Sequence, residues 1–329
     1  MSADIATQRH DLPLLATTET CSGGTYIVTG ANVGLGLEAA KHLVSLGASK
    51  VVMAVRNLSA GEDAKAEIEK ATGIVNVAEV WVLDLASYDS VKAFAKKAMS
   101  ELDRIDAIIE NAAVAIAGST QPEGHLTPVT VNVLSTLLLA VLMLPKLSES
   151  AKRFGIVPHI TFVTSRVGFD AKSDWDIIKD DPVRKLDTDG ALIMKAYPLS
   201  KLLETFTVRE FAAMNPVSRT GVVMNLVCPG LCRTTLSRDA PQPFRDMLAD
   251  QLAKFGRTAE DGSRNLLAGA VKGKESHGCL LDSTEIAEEK VPDWVTSEEG
   301  KQSQKLVWDV VAKELESAEP GCLQKLVSV

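Results

Sequence analysis

The sequence predicts one α/β domain built on a doubly wound parallel sheet with helices on both faces. Short, continuous apolar runs alternate with longer stretches of helical spacing from residue 24 to about residue 227. No linker rich in Pro, Gly or Ser and no internal repeat interrupts this alternation. Strands that are apolar at every position are typical of a parallel sheet buried on both faces, and right-handed crossovers then place helices on either side.

Each predicted element follows from its own pattern. The strands are the β-branched and apolar runs at 25–29, 50–55, 80–83, 105–109, 159–163 and 221–227. The helices carry apolar residues three and four apart, at 34–46, 59–71, 87–99 (with Ser87 as N-cap), 127–147, 194–214 and 297–318. We therefore expect residues 1–23 to form an N-terminal extension and residues 24–329 to form a single domain.

Two segments interrupt the alternation. Residues 166–196 are polar and are predicted to be an irregular inserted loop. Residues 231–258 follow a Pro-Gly turn, contain Pro241 and Pro243, and are predicted to be a substrate lid. Long insertions in a compact domain are commonly binding loops. The C-terminal helix at 297–318 is expected to pack against the domain.

Composition narrows the class of protein. The chain has 329 residues, of which 46% are hydrophobic, and a formal net charge of -8. These values indicate a folded protein and disfavour a nucleic-acid partner. The apolar stretch 129–144 is shorter than a membrane span and ends at Pro145, so we expect a buried helix in a cytoplasmic protein without a membrane span. Cys228 and Cys232 lie four apart without further ligands, so no metal site is expected.

A glycine-rich turn joins the first predicted strand to the first predicted helix. After Thr29 it comprises Gly30, Asn32, Val33, Gly34, Leu35 and Gly36. Glycines let a pyrophosphate approach the backbone closely, and the start of a helix offers it free N–H groups. An ordinary tight turn is the alternative, but the strand–turn–helix context favours a dinucleotide site and hence a Rossmann fold.

The end of the second predicted strand indicates which dinucleotide binds. NAD-binding chains usually carry an acidic residue there for the ribose hydroxyl, whereas this strand runs into Arg56 and Asn57. A guanidinium binds a 2′-phosphate through paired charge-assisted bonds, so we predict NADP(H), with a solvated surface arginine as the alternative. Asp84, after the third strand, is placed to bond the adenine amine, with Leu85 against the ring.

A tyrosine four residues before a lysine is the predicted acid/base. On a helix, Tyr197 and Lys201 share one face. A nearby cation favours the phenolate of a tyrosine, whose pKa is ordinarily about 10. Ser165, at the carboxyl end of the fifth predicted strand, is placed to polarise a carbonyl oxygen, although a helix-capping serine is the alternative interpretation.

With these motifs the chain resembles the short-chain dehydrogenase/reductase family over residues 24–290. Besides the glycine-rich turn, the matching residues are Asp84, Leu85, Asn111, Ala112, Asn132, Thr164, Ser165, Tyr197, Lys201, Cys228, Pro229, Gly230 and Thr234. Within the family it looks like the retinol-dehydrogenase-like branch, and it is similar to fungal members that act in secondary metabolism.

The resemblance implies a catalytic tetrad of Asn132, Ser165, Tyr197 and Lys201. Tyr197 would give a proton to a carbonyl oxygen that Ser165 orients. Lys201 would hold the nicotinamide ribose and lower the pKa of Tyr197, and Asn132 would anchor a proton-relay water. Hydride delivery from the B face, and a homodimer or homotetramer acting on a small-molecule carbonyl or alcohol, are implied as well. The implied cofactor contacts extend to Asn111, Ala112, Pro229, Gly230 and Thr234.

Two features depart from the family pattern. Glu110, Asn111, Ala112 and Ala113 stand where the family usually has Asn-Asn-Ala-Gly, which implies a looser contact with the adenine ribose. The segment between Ser165 and Tyr197 is far longer than in short members, so the family's substrate contacts are not carried over to it.

Three functions are compatible with these residues. The first is NADPH-dependent reduction of a ketone or aldehyde on a hydrophobic molecule, favoured because cells keep the NADP pool reduced. The second is NADP-dependent oxidation of a retinol- or steroid-like alcohol. The third is a cofactor-binding protein without redox turnover, which the presence of both Tyr197 and Lys201 disfavours.

Overall fold

A computed structural model describes residues 3–116 and 118–327; residues 1–2 of the predicted extension, and 117 and 328–329 of the predicted domain, lie outside the described residues. Within the described ranges one sheet has the order β3-β2-β1-β4-β5-β6-β7-β8. Neighbouring strands are parallel except β7 and β8, which are antiparallel. The strands are β1 (Thr25–Thr29), β2 (Lys50–Val55), β3 (Ala78–Val82), β4 (Ala107–Glu110), β5 (His159–Val163), β6 (Val223–Cys228), β7 (Leu280–Asp282) and β8 (Glu285–Ile286).

Helices cover both faces of this sheet, which confirms the predicted fold class. The α-helices are α1 (Thr18–Cys21), α2 (Gly34–Ser45), α3 (Leu58–Thr72), α4 (Tyr88–Glu101), α5 (Thr127–Val129), α6 (Thr136–Phe154), α7 (Lys172–Ile178), α8 (Pro182–Thr188), α9 (Ala196–Met214), α10 (Val217–Thr220), α11 (Gln242–Phe255), α12 (Ala259–Val271), α13 (Asp293–Thr296), α14 (Glu298–Ala318) and α15 (Gln324–Val327). A π-helix spans Thr130–Ser135, and 3-10 helices span Ala3–Thr7, Pro122–Gly124, Arg166–Ala171, Gly190–Lys195, Lys274–Ser276 and Glu288–Lys290.

The sheet separates two hydrophobic clusters, one on each face. Successive residues of β4 enter different clusters: Ile108 belongs to the cluster with α6 and α9, and Ile109 to the cluster with α2 and α12. Because side chains alternate along a strand, a strand buried on both faces must be apolar at every position. The chain order reverses between β1 and β4, and ligands of such sheets bind at the carboxyl ends of strands beside that point.

Most predicted strand bounds lie within two residues of those observed, but β7 and β8 were not predicted. They have three and two residues, too few for a period to show in the sequence. The helix predicted at 127–147 contains Pro145, and the observed α6 also continues past this proline, to Phe154. It ends before Gly155, which has a left-handed conformation with φ 65°. Tertiary packing of this helix outweighs the local cost of an internal proline.

The prediction of an irregular loop at 166–196 was wrong. The segment contains α7, α8 and two 3-10 helices. Its buried residues lie three apart, as Trp175 with Ile178 and Val183 with Leu186, which is helical spacing hidden among many aspartates. Pro182 lies at the start of α8, where a proline favours a helix rather than breaking it.

The apolar stretch near residue 130 is a core helix. Residues 127–154 are long and apolar enough to cross a membrane by composition, yet 94% of the apolar window is buried inside the domain. The C-terminal helix α14 packs on α9, with the Trp308 ring stacked on Phe211 at 5.4 Å between centroids, as expected. By contrast, α11 in the predicted lid has no buried residue, and Phe244 and Met247 on it are 43% and 44% exposed.

Candidate active site

The glycine-rich turn forms a close-fitting cradle at the carboxyl end of β1. Gly30 and Gly34 adopt left-handed conformations, with φ of 66° and 59°. A Cβ on Gly36 would lie 2.6 Å from both the Asn111 Nδ2 atom and the Gly30 carbonyl oxygen, so only glycine fits there. Val33 precedes α2 without a side-chain cap and is 45% exposed, which leaves the first N–H groups of the helix available to an anion.

The other predicted residues of this turn lie at its margins. Asn32 and Leu35 are both half-buried. Leu35 lies beside α12, since its Cδ2 atom is 2.7 Å from the place of a Cβ on Gly262. Thr234 faces the turn, with its Cγ2 atom 3.4 Å from the place of a Cβ on Gly34. The start of the predicted lid therefore reaches the predicted pyrophosphate position.

The end of β4 is tied to the same turn. The Thr29 hydroxyl accepts the backbone N–H groups of Asn111 and Ala112, each at 2.9 Å. Asn111 donates from Nδ2 to the Thr29 carbonyl oxygen at 2.8 Å. Asn111 thus holds the cradle in shape, a contact that sequence reasoning did not anticipate. Ala112 lies against Gly30, with its Cα atom 3.0 Å from the place of a Cβ there.

The residues predicted to select the dinucleotide lie at the ends of β2 and β3. Arg56 is exposed and, within the described part of the chain, makes no hydrogen bond or ion pair. Asn57 caps α3 by accepting the Ala60 N–H at 3.1 Å, so its side-chain oxygen is already bonded to the helix that it precedes. Asp84 accepts the Ala86 N–H at 2.9 Å through one carboxylate oxygen. Leu85 is 5% exposed and packs in the core, and its contact with the adenine ring stays a prediction.

Ser165 and Tyr197 meet at the carboxyl end of β5. Their side chains are hydrogen-bonded to each other. Ser165 also accepts the Val167 N–H at 3.4 Å at the start of a 3-10 helix, so it is a capping residue, and its role in polarising a carbonyl oxygen stays a prediction. Burial of most of the Tyr197 ring raises its pKa, the charges of Glu204 and Cys228 act in the same direction, and the bond from Ser165 opposes them. The net shift of the Tyr197 pKa is therefore upward, and the expected lowering by Lys201 is not among its causes.

Lys201 is itself paired with the buried carboxylate of Glu204. Its Nζ atom is buried, donates to the Val163 carbonyl oxygen at 2.8 Å, and lies 3.0 and 3.2 Å from the two carboxylate oxygens of Glu204. Sequence reasoning did not identify Glu204. The available signal was a charged residue one turn after Lys201 on a helix that is otherwise apolar on that face, because a buried charge needs a partner.

Asn132 lies on the π-helix and is hydrogen-bonded to α9, the helix that carries Tyr197 and Lys201. Its amide accepts the Val114 N–H at 2.9 Å and donates to the Val114 carbonyl oxygen at 3.0 Å. It also donates to the Ser200 hydroxyl at 3.0 Å, which in turn donates to the Tyr197 carbonyl oxygen at 2.8 Å. Asn132 therefore positions the first turn of α9, and its proposed role in a water relay stays a prediction.

The loop after β6 is held by a buried arginine that sequence reasoning missed. Arg257 is 0% exposed and donates to the Pro229 carbonyl oxygen at 2.6 Å, to the Arg9 carbonyl oxygen at 2.7 Å and to the Ser283 hydroxyl at 2.8 Å. Gly230 has φ 77°, and a Cβ on it would lie 2.7 Å from Arg257. These partners are far apart in sequence, so no local pattern could reveal them.

The N-terminal extension reaches the two ends of the predicted lid. The Gln8 side chain accepts the Leu231 N–H at 2.9 Å and donates to the carbonyl oxygens of Leu231 and Phe255, at 3.0 and 2.5 Å. Leu12 is fully buried, and its N–H binds the Asp261 carboxylate at 2.7 Å. The extension is thus part of the packed structure at this end of the sheet.

These residues line the carboxyl ends of β1, β2, β4, β5 and β6, and they fit a dinucleotide. The cradle that a Cβ would fill matches a pyrophosphate, and the exposed Arg56 matches a phosphate farther along. Within residues 3–116 and 118–327, no group of three or more His, Cys, Asp or Glu side chains is arranged to hold a metal ion. Cys228 and Cys232 are free thiols.

Comparison with known proteins finds similar chains. A family model described as short chain dehydrogenase matches residues 25–175. The short chain dehydrogenase/reductase dmxR8 of Cryptosporiopsis sp. is 42% identical, over 91% of this chain and 93% of its own. Short-chain dehydrogenase/reductase ffsI of Aspergillus flavipes is 36% identical, over 94% and 91%.

Solved structures show the same fold. A short chain dehydrogenase from Shigella flexneri, complexed with NADP, superposes with a TM-score of 0.60 at 20% identity, covering 82% of this chain and all of its own. A gluconate 5-dehydrogenase structure from Beutenbergia cavernae with bound NADP has a TM-score of 0.60 at 22% identity, covering 80% of this chain and 96% of its own.

Proposed function

Because this chain belongs to the short-chain dehydrogenase/reductase family of oxidoreductases, we propose that it uses NADPH to reduce a ketone or aldehyde on a hydrophobic small molecule. The observation that carries the proposal is the Ser165–Tyr197 hydrogen bond at the carboxyl end of β5, with a phenol whose pKa is raised. A phenol that keeps its proton is a general acid, which carbonyl reduction needs and alcohol oxidation does not.

The choice of NADPH rests on Arg56. Its guanidinium is exposed at the end of β2 and has no acidic partner among the described residues, so it is free to bind a 2′-phosphate. Gly30, Gly34 and Gly36 would hold the pyrophosphate, and Lys201 the nicotinamide ribose. The two solved relatives with bound NADP support the same choice. When bound, NADPH supplies the hydride and leaves as NADP⁺.

The chain's own residues then manage the proton. Ser165 donates a hydrogen bond to the substrate carbonyl oxygen and orients it beside Tyr197. As the carbonyl carbon accepts the hydride, its oxygen takes the Tyr197 proton, and Tyr197 regains a proton from solvent. Asn132 and Ser200 hold the first turn of α9, so that the Tyr197 hydroxyl stays aligned with Ser165.

The apolar character of the substrate rests on the predicted lid. Phe244 and Met247 of α11 are exposed beside the loop that follows β6, and a hydrophobic ligand would cover them. The fungal relatives support a place for the enzyme in secondary metabolism. We further propose a cytoplasmic homodimer or homotetramer, and the burial of residues 127–154 supports an enzyme without a membrane span.

The experiment follows NADPH oxidation across a panel of ketones and aldehydes. We expect Tyr197→Phe to lower kcat/KM by about 10²- to 10⁴-fold, because the general acid is lost, while NADPH binding, measured by fluorescence, is retained. Tyr88→Phe is the matched control, since the buried Tyr88 hydroxyl has no hydrogen-bond partner in the described residues. Full turnover by Tyr197→Phe would refute the mechanism, and a preference for NADH would refute the cofactor assignment.

A further inference from the structure

The contact between Lys201 and Glu204 is an ion pair enclosed inside the protein. The Lys201 and Glu204 side chains are 3% and 1% exposed, and Nζ lies within 3.2 Å of both carboxylate oxygens. The Thr164 hydroxyl is hydrogen-bonded to the same carboxylate. Burial raises the pKa of Glu204, and its contacts with Lys201 and Thr164 oppose that shift. With one proton shared along the contact, the two side chains together carry no net charge, whereas a protonated Lys201 alone would carry one positive charge one turn of α9 after Tyr197.

Few other ionisable groups face this pair. Glu110 reaches it from β4, but burial raises the Glu110 pKa to about 8, so this carboxyl is neutral at pH 7. Cys228 on β6 faces Tyr197. Arg166, at the start of the 3-10 helix packed on α9, is paired with Asp282 at 3.0 Å. The buried residues that α14 and the π-helix present include no ionisable side chain.

We propose that Glu204 is a positioning residue of the active site, which offsets the charge of Lys201 and thereby keeps the Tyr197 hydroxyl protonated. The argument is electrostatic. An unopposed ammonium close to a phenol in a poorly solvated site favours the phenolate, and a carboxylate bonded to that ammonium cancels most of the effect. Lys201 remains held by the Val163 carbonyl oxygen, and a hydrogen bond to the cofactor ribose would replace one of its two contacts with the Glu204 carboxylate.

The consequence is a bias in the direction of the reaction. A protonated Tyr197 gives a proton to a carbonyl oxygen, whereas oxidation of an alcohol requires the phenolate as a base. Glu204 therefore favours reduction at neutral pH. This consequence rests on the proposed function, but the charge compensation itself does not.

The first test titrates tyrosinate absorbance in the protein without cofactor. The chain has three tyrosines, and burial raises the pKa of both Tyr26 and Tyr88, so Tyr197→Phe supplies the signal to subtract. In Glu204→Gln we expect the Tyr197 pKa to fall by about one unit or more, because Lys201 is left uncompensated. Glu210→Gln, the same change farther along α9, is the matched control and leaves the titration unchanged.

A double variant separates charge compensation from general disruption. Lys201→Gln combined with Glu204→Gln removes both charges, so the Tyr197 titration returns towards that of the wild type even though activity is lost. Identical titrations in the wild type and Glu204→Gln would overturn the proposal. So would a double variant that keeps the lowered pKa of the single variant. Neither result depends on whether any carbonyl compound is turned over.

The second test measures pH profiles with an accepted carbonyl substrate. In Glu204→Gln the alkaline limb of kcat/KM for reduction shifts to lower pH by the same amount as the titration, and the rate of alcohol oxidation at neutral pH rises relative to reduction. An unshifted profile together with a shifted titration would overturn the directional consequence. Absence of turnover in the wild type would instead contradict the proposed function alone.

Discussion

Asn111 and Thr29 are joined by two hydrogen bonds, from the Asn111 Nδ2 atom to the Thr29 carbonyl oxygen at 2.8 Å and from the Asn111 N–H to the Thr29 hydroxyl at 2.9 Å. This pairing fixes the end of β4 against the glycine-rich turn. It also leaves no room for a side chain on Gly36, whose Cβ would lie 2.6 Å from the same Nδ2 atom. The shape of the cofactor cradle therefore depends on a residue from another strand.

Gly36→Ala is expected to disturb this cradle. The added methyl group would displace Asn111 or the Gly30 carbonyl, at a cost of about 1–3 kcal/mol in the free energy of unfolding, and NADPH affinity would fall as the turn shifts. Chemical denaturation and fluorescence titration measure the two effects. Gly190→Ala is the control, because nothing lies within 4 Å of its added Cβ. Equal stability of the two variants would contradict the close fit.

Arg56→Ala is expected to weaken NADPH binding and to leave NADH binding unchanged. A charge-assisted contact to the 2′-phosphate is worth about 1.5–3 kcal/mol, or roughly a tenfold to hundredfold change in Kd. Binding of both cofactors is measured by fluorescence. Lys96→Ala removes one exposed positive charge from α4 and controls for net charge. An equal loss of affinity for NADPH and NADH would show that Arg56 does not bind the 2′-phosphate.

Glu110 is expected to make stability depend on pH. The unfolded chain releases this proton near the ordinary pKa of 4.5, whereas burial in the folded protein raises the Glu110 pKa to about 8. Between these values the folded state binds more protons, so the contribution of Glu110 to stability falls as the pH rises and becomes constant above about 8.

Glu110→Gln removes that dependence. The free energy of unfolding of the variant, relative to the wild type, should increase by at least about 1 kcal/mol from about pH 5 to about pH 8. Urea denaturation at several pH values measures it. Glu62→Gln, exposed on α3, shows no such trend if the effect arises from burial. A constant difference across the range would mean that Glu110 is already ionised in the folded protein.

Gln8→Ala is expected to loosen both ends of the segment that carries α11. The variant loses hydrogen bonds to Leu231 and Phe255, each worth about 1 kcal/mol. Limited proteolysis should then cleave residues 232–254 faster, and KM for the substrate should rise more than kcat falls. Gln302→Ala on the exposed side of α14 is the control. Unchanged proteolysis would show that Gln8 does not hold this segment.

Local patterns predicted much of the fold. Strands buried on both faces are apolar at every position, so β1, β2 and β5 were predicted with their observed bounds. Helical spacing and capping residues located α2, α4 and α14. Sequence patterns failed to predict helices in which a few buried apolar residues stand among many charged ones, as in residues 166–196. They also failed to predict strands as short as β7 and β8. In those places the helix or strand is stabilised by contacts with distant residues.

For the active site, the sequence by itself determined which chemical groups are present and on which strand ends and helix they lie, because residue type and period are local properties. Only the tertiary structure decided the charge states of these groups and the hydrogen bonds that hold them and the neighbouring loops in place. Lys201 proved to be paired with Glu204 instead of acting alone on Tyr197, and Arg257 and Gln8 proved to hold the loop after β6. The physical reason is that burial and electrostatic interactions depend on distances between atoms, and folding brings together groups that are more than two hundred residues apart.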